Sequence, residues 1–168
     1  MTISSKEDIA LMCQVGKLVG LTIREMKAAA KPGMTTAELD RIGADFLRRN
    51  GARSAPREAY NFPGFTCLSL NEEVVHGIPG PRRMKPGDVL KIDVTAELGG
   101  YVADAAITVV LPPAAPQARK LRKCAEAAFE RRWEWPEWAT ASRRSAAPWT
   151  PRCAATASAC FATWPVME

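Results

Sequence analysis

Two β-rich runs on either side of Gly99-Gly100 restrict the fold of this chain more than any other feature. Residues 89–96 are dominated by apolar and β-branched side chains, and residues 101–110 resume the same pattern. Two glycines between such runs are a strong hairpin signal, because glycine adopts the positive φ values that a two-residue turn requires. With Gly99 and Gly100 in the turn, Leu98 pairs with Tyr101. The sequence therefore predicts an antiparallel hairpin, and the position of the turn fixes its register.

That register brings two acidic side chains together. Thr95 lies directly opposite Asp104, and Asp93 shares the face of Thr95 because side chains alternate along a strand. Asp93 is then a diagonal neighbour of Asp104, roughly 7–8 Å away between backbones. The rest of the face, including Val102 and Ala106, is expected to be mostly apolar, so the acids need compensation, and a metal ion is the simplest. In the alternative, one acid pairs with an arginine and the other is solvated at a strand end; for two aspartates taken alone this is the commoner arrangement.

Five sequence landmarks occur in a fixed order along the first 100 residues. They are Lys31-Pro32-Gly33-Met34-Thr35-Thr36-Ala37-Glu38-Leu39-Asp40, Phe62-Pro63-Gly64-Phe65-Thr66-Cys67-Leu68-Ser69-Leu70, Asn71-Glu72-Glu73-Val74-Val75-His76-Gly77-Ile78-Pro79, Lys85-Pro86-Gly87-Asp88 and Ile92-Asp93-Val94-Thr95. In order, spacing and identity they make residues 5 to about 130 resemble the N-terminal half of the type I methionine aminopeptidases. The resemblance implies an α/β (α+β) fold, the N-terminal lobe of the pita-bread fold, which is incomplete in this chain.

The resemblance also implies a role for five side chains. Asp93 would be the terminal carboxylate ligand of one of two divalent metal ions, and Asp104 would bridge both. His76 would lie beside the metals and hydrogen-bond the substrate at the scissile peptide; the alternative is a structural imidazole. Phe62 and Cys67 would line the pocket for the methionine side chain, a reading compatible with ordinary core packing. Mn, Fe, Co and Zn all suit carboxylate and imidazole ligands.

The chain departs from the family in two ways. Ala103 precedes Asp104, and Ala105 and Ala106 follow it, where the family usually has Gly before this Asp and small hydroxyl residues after it. The family also takes one His and two Glu ligands from its second half, and this chain has no second histidine. A two-metal site needs ligands from several sides, so two aspartates alone are expected to bind metal weakly.

The function implied is metal-dependent removal of N-terminal methionine from nascent proteins, impaired in this chain as written. The alternative is a catalytically inactive binding protein with the same fold. Expected partners are N-terminal Met peptides or nascent chains, with the ribosome as a candidate, and neither a membrane nor a specific nucleic acid.

A cytoplasmic location is predicted from the start of the chain and its cysteines. Charged Lys6, Glu7 and Asp8 precede any apolar stretch, which argues against a signal peptide, and no apolar run is long enough to span a membrane. The five cysteines form no CxxC pair and are predicted to be reduced thiols.

The amino-acid composition changes near residue 131. All five tryptophans lie in residues 131–168, which contain no Gly, Leu, Ile, Lys, Asp or Asn. We therefore divide the chain into a lobe at 1–130 and an Arg/Trp/Ala-rich tail at 131–168, which lacks the residues that build a core. We hypothesise that the tail arises from a frameshift, because the shifted codons of residues 163–168 permit Leu-Ala-Gly-His-Gly, and Gly-His-Gly surrounds the family's missing histidine ligand. The alternatives are a disordered extension or a nucleic-acid-binding arm, for which a tail charge of only +2 is weak support.

Helices are predicted on both sides of the hairpin. Ser4 and Glu7 form a capping box that opens one helix, which Lys31-Pro32-Gly33 ends, and Thr35 and Glu38 form a second box that opens another. A third helical stretch covers residues 117–130. The apolar positions of the first two helices are Ile9, Met12, Val15, Val19, Ile23 and Met26, then Leu39, Ile42 and Phe46.

Overall fold

The computed structural model describes residues 5–133, with side chains as far as residue 130. The elements in chain order are α1 (Lys6–Ala29), α2 (Thr36–Arg49), β1 (Arg53–Ser54), α3 (Ala55–Tyr60), β2 (Cys67–Leu70), β3 (Val89–Leu98), β4 (Tyr101–Val110) and α4 (Pro116–Trp133). The chain divides into two compact units, one up to Ala114 and one from Ala115. The first unit holds α1–α3 and all four strands, and the second holds α4. From residue 134 onward the predicted tail lies outside the described residues.

The first two helices begin at capping boxes, one of them a residue later than predicted. Ser5 is the N-cap of α1: its Oγ accepts from Asp8 N at 3.0 Å, and the Asp8 carboxylate accepts from Ser5 N at 2.9 Å. The sequence offers two overlapping boxes here, and the predicted Ser4–Glu7 box is wrong. The Thr35–Glu38 box of α2 is confirmed, with Glu38 N donating to Thr35 Oγ1 at 3.1 Å.

The two helices cover one face of the sheet. The apolar stripe of α1 is buried from Val15 through Met26, as predicted, whereas Ile9 in its first turns is 53% exposed. α1 packs against α2, β3 and β4. The side chains of β3 that point into this core are fully buried: Leu90, Ile92, Val94 and Ala96. Alternate residues of β3 therefore face the opposite side of the sheet.

The predicted hairpin and its register are confirmed. β3 and β4 pair antiparallel, with Leu98 opposite Tyr101 and Thr95 opposite Asp104. Gly99 and Gly100 have φ of 61° and 87°, as the turn requires. β3 is central in the sheet, because β1 and β2 pair with its other edge. β1, α3 and β2 were not predicted as elements, since two to six residues carry too little periodicity to be recognised.

The outer face of the hairpin differs from the prediction. Val102 and Ala106 do lie on it and are exposed, but so do polar residues of both strands: Lys91, Asp93, Thr95, Glu97, Asp104 and Thr108. The expectation of a mostly apolar face is therefore wrong. The reason is that side chains alternate along β3: its apolar residues pack against the helices, so its polar residues lie on the opposite face.

Two smaller expectations can be compared with the structure. Cys13 and Cys67 are free thiols, so the prediction of reduced cysteines is confirmed for these two. Among the helices of residues 5–133, none has the length and apolar character needed to cross a membrane.

Candidate metal centre

Asp93 and Asp104 meet on the outer sheet face, on adjacent strands. Asp93 is partly buried and Asp104 is exposed. The Thr95 hydroxyl donates to Asp104 Oδ1 at 2.7 Å, which holds that carboxylate over β3. Burial raises the pKa of Asp93 to about 6, and the charge of Asp104 and a hydrogen bond between the two carboxyls act in the same direction. Two acids held this close favour a shared proton or a cation between them.

The thiol of Cys67 lies next to this pair. Cys67 is directly opposite Asp93 in the β2–β3 register, so both side chains are on the same face. Burial raises the pKa of the thiol to about 11, with further contributions from the charges of Asp93, Asp104 and Asp40. The Cys67 thiol is therefore uncharged at neutral pH. An uncharged thiol is a weakly polar group and a poor nucleophile.

Asp40 of α2 fixes the start of β2. Its carboxylate accepts hydrogen bonds from Phe65 N at 3.0 Å, from Thr66 N at 2.7 Å and from Thr66 Oγ1 at 2.8 Å. Cys67 follows immediately, so these bonds set where β2 enters the sheet. Asp40 belongs to a conspicuous sequence landmark, but its role was not predicted. An acid next to the buried Leu39 of an amphipathic helix was the available signal.

His76 lies on the loop that connects β2 with β3. The loop returns to β2 at Gly77, whose carbonyl accepts from Leu68 N at 2.9 Å and whose N–H donates to Ser69 Oγ at 2.9 Å. His76 is exposed and has a φ of 56°, an uncommon value for a residue with a side chain. A charged imidazole here lowers the pKa of Asp93, opposing the burial effect, so the ring is within electrostatic range of the acid pair.

Phe62 is only partly buried, in the segment between α3 and β2. Its N–H donates to Pro56 O at 3.3 Å, which ties the segment to α3. The aromatic ring that joins the core nearby is Phe65, with the guanidinium carbons of Arg48 and Arg57 at 4.3 and 5.3 Å from its centroid. The structure thus brings Asp93, Asp104 and Cys67 onto one face and His76 near it, while Phe62 lies on an adjoining segment.

The ligand set in the described chain is partial. Within residues 5–133, no three or more His, Cys, Asp or Glu side chains are grouped closely enough to hold a metal ion. Paired carboxylates suit divalent cations in kind, and a cation would relieve the unfavourable ionisation of Asp93. The arrangement therefore fits a metal in chemistry but supplies only two carboxylates toward its coordination.

Comparison with solved structures defines the fold class. A methionine aminopeptidase from Thermotoga maritima superposes with a TM-score of 0.74 at 27% sequence identity, covering 78% of this chain and 53% of that protein. Prolidase from Pyrococcus furiosus superposes with a TM-score of 0.67 at 19% identity, covering 77% of this chain and 37% of that one. The described residues are thus an incomplete lobe of the mixed α/β pita-bread fold.

Sequence comparison gives the family. Residues 10–134 match metallopeptidase family M24, and the chain belongs to that family. Methionine aminopeptidase 2 of Bacillus subtilis is 42% identical over 132 residues, which cover 78% of this chain and 53% of the relative. The chain thus spans about half the length of the curated relatives it matches. Membership of a metallopeptidase family implies the use of a divalent metal.

Proposed function

We propose that this chain contributes the N-terminal half of a dinuclear metal site that removes the initiator methionine from peptides and nascent proteins. The observation that carries the proposal is the register of the hairpin. It makes Asp93 and Asp104 diagonal neighbours on the face of the sheet opposite α1, where burial and the charge of Asp104 raise the pKa of Asp93 to about 6.

The chain's own residues would divide the work as follows. Asp93 and Asp104 would hold the divalent ions, with Thr95 orienting Asp104 through its 2.7 Å hydrogen bond. Such ions would supply Lewis-acid polarisation of the scissile carbonyl and acidify a water molecule. His76, exposed beside the acids, would hydrogen-bond the substrate at the scissile peptide.

The pocket for the methionine side chain would involve Cys67 and Phe62. The Cys67 sulfur is uncharged at neutral pH, because its pKa is raised to about 11. A neutral sulfur and an aromatic ring are favourable neighbours for a thioether. Mn, Fe, Co or Zn would suit the ligands, and binding by these two aspartates alone would be weak. The cytoplasm is the compartment where nascent chains would be met, and the ribosome is a candidate partner.

An inactive binding protein of the same fold is the second candidate. The observation that favours it is the lack of a third ligand group among residues 5–133. Such a protein would bind N-terminal peptides, nascent chains or ribosomal RNA without hydrolysis. Its binding would not depend on the two aspartates.

Mn²⁺ calorimetry and hydrolysis of a Met-Ala-Ser peptide, both with the full chain, separate the two candidates. In Asp104→Asn we expect Mn²⁺ affinity to fall at least about tenfold, since even outer-shell partners contribute that much to metal sites, and any hydrolysis to disappear. Asp45→Asn, at an exposed carboxylate of α2, is the matched control and should change neither. Mn²⁺ binding equal in Asp104→Asn and wild type would refute the proposed metal site. Peptide binding that persists in Asp93→Asn and Asp104→Asn, without hydrolysis, would instead support the binding protein.

A further inference from the structure

Two neighbouring side chains of the sheet hold both ends of the loop that carries His76. Ser69 of β2 and Lys91 of β3 are directly opposite each other in the register, one step along the same face from Cys67 and Asp93. The loop leaves β2 at Leu70 and comes back to β2 at Gly77, which is hydrogen-bonded to Leu68 and Ser69. It contacts Lys91 at its start and Ser69 at its end.

Lys91 binds the start of the loop through backbone carbonyls. Its Nζ donates to Asn71 O at 2.8 Å and also to Glu73 O. An ammonium group that bridges two carbonyls of one short segment fixes the direction in which the segment leaves the strand, since charge-assisted hydrogen bonds are the stronger kind. Arg82 adds a second cation from outside, through Glu72 and Glu73 at 3.1 and 2.9 Å.

Ser69 binds the end of the loop. Its side chain is buried, and its Oγ accepts from Gly77 N at 2.9 Å. Between the two anchored ends, Val74 and Val75 are 78% and 63% exposed, and His76 is exposed as well. The exposed segment is therefore held at both ends by hydrogen bonds with Lys91 and Ser69. Both side chains lie on the face of the sheet that bears Asp93.

We propose that Lys91 and Ser69 are positioning residues, which together set the distance of the His76 imidazole from the Asp93–Asp104 pair. Both act through backbone groups of the loop, and neither needs to touch substrate or metal. The inference rests on the proposed function, because the position of His76 matters for catalysis only if the nearby Asp93–Asp104 pair binds metal. Its physical basis is that Lys91, the neighbour of Asp93 on that face, and Ser69, the cross-strand partner of Lys91, hold the loop at two points. Loop and carboxylates therefore cannot move independently.

Backbone hydrogen exchange of residues 71–77 tests the contact of Lys91 with the loop without any metal. In Lys91→Met we expect exchange in this segment to accelerate at least about tenfold, because one hydrogen bond from a charged donor contributes on that order. Lys91→Arg should restore most of the protection, since a guanidinium also donates to carbonyls. Lys17→Met, at an exposed lysine of α1, is the matched control for loss of charge. Unchanged exchange in Lys91→Met would overturn the proposal.

The position of His76 has its own readout, because it is the only histidine of the chain and gives one set of imidazole signals. With saturating Mn²⁺, paramagnetic broadening of these signals reports their distance from the metal. We expect broadening in wild type and Lys91→Arg, and a several-fold smaller effect in Lys91→Met and Ser69→Ala. Equal broadening in all four would overturn the positioning role. If wild type itself shows no broadening at saturating Mn²⁺, the proposed metal site fails, while the exchange experiment still decides whether Lys91 holds the loop.

Discussion

Replacing Gly77 by alanine is expected to separate the loop that carries His76, residues 71–77, from β2. A Cβ at this position would lie 2.3 Å from Leu68 O and 2.7 Å from Ser69 Cα, both atoms of the β2 backbone. Ordinary van der Waals contact begins near 3.4 Å, so loop and strand must part by about 1.1 Å. The two 2.9 Å hydrogen bonds between Gly77 and β2 would then stretch to about 4.0 Å, beyond hydrogen-bonding range.

The magnitude follows from the groups left without partners. Leu68 and Ser69 are buried, and each buried polar group without its partner costs about 1–3 kcal/mol. The loss of two hydrogen bonds in Gly77→Ala should therefore lower the free energy of unfolding by about 2–6 kcal/mol. Urea unfolding followed by far-ultraviolet circular dichroism measures this, because α1 and α2 of the same compact unit contribute helical signal. Tryptophan fluorescence would not serve, since every tryptophan lies in residues 131–168.

Gly80 provides the matched control in the same connection. A Cβ there would meet only Ile78 O, at 3.9 Å, so Gly80→Ala should change stability by no more than about 0.5 kcal/mol. Equal stabilities of the two variants would refute the claim that close approach of Gly77 to β2 holds the loop.

Three further predictions concern other parts of the chain. Asp40→Ala should cost about 3 kcal/mol in urea unfolding, because it leaves three donors of residues 65–66 unpaired, whereas Asp45→Ala at an exposed ion pair should cost less than about 0.5 kcal/mol; similar losses would contradict the role given to Asp40. The pKa of Asp93 in the folded metal-free chain is raised to about 6, so its contribution to stability is fully present below pH 4 and is lost as pH rises through 6. The melting temperature of wild type in EDTA should fall relative to Asp93→Asn over this window, and parallel curves would count against the raised pKa. Sequencing the gene around codon 131 should reveal a shifted frame that restores a histidine and two glutamates downstream, and an early stop in that frame would rule it out.

The sequence alone was enough to predict the hairpin and the pairing of its residues. Two glycines fix the turn, and a period of two then fixes which residues share a face, so the pairing of Thr95 with Asp104 followed without tertiary information. The α2 capping box was equally local, involving only Thr35 and Glu38. The order of helices and hairpin followed from the same kind of short-range pattern.

Only the tertiary structure decided what surrounds the two aspartates. Asp40 meets Phe65 and Thr66 across more than 20 residues of sequence, and Lys91 meets the loop carbonyls across about as many. Such contacts depend on how α2 and the β2–β3 connection pack on the sheet, and no local periodicity encodes them. The same holds for Gly77, because an absent side chain gains meaning only from the backbone it approaches. Sequence thus determined which residues share a face, and tertiary packing determined which of them hold the loop and the strand in place.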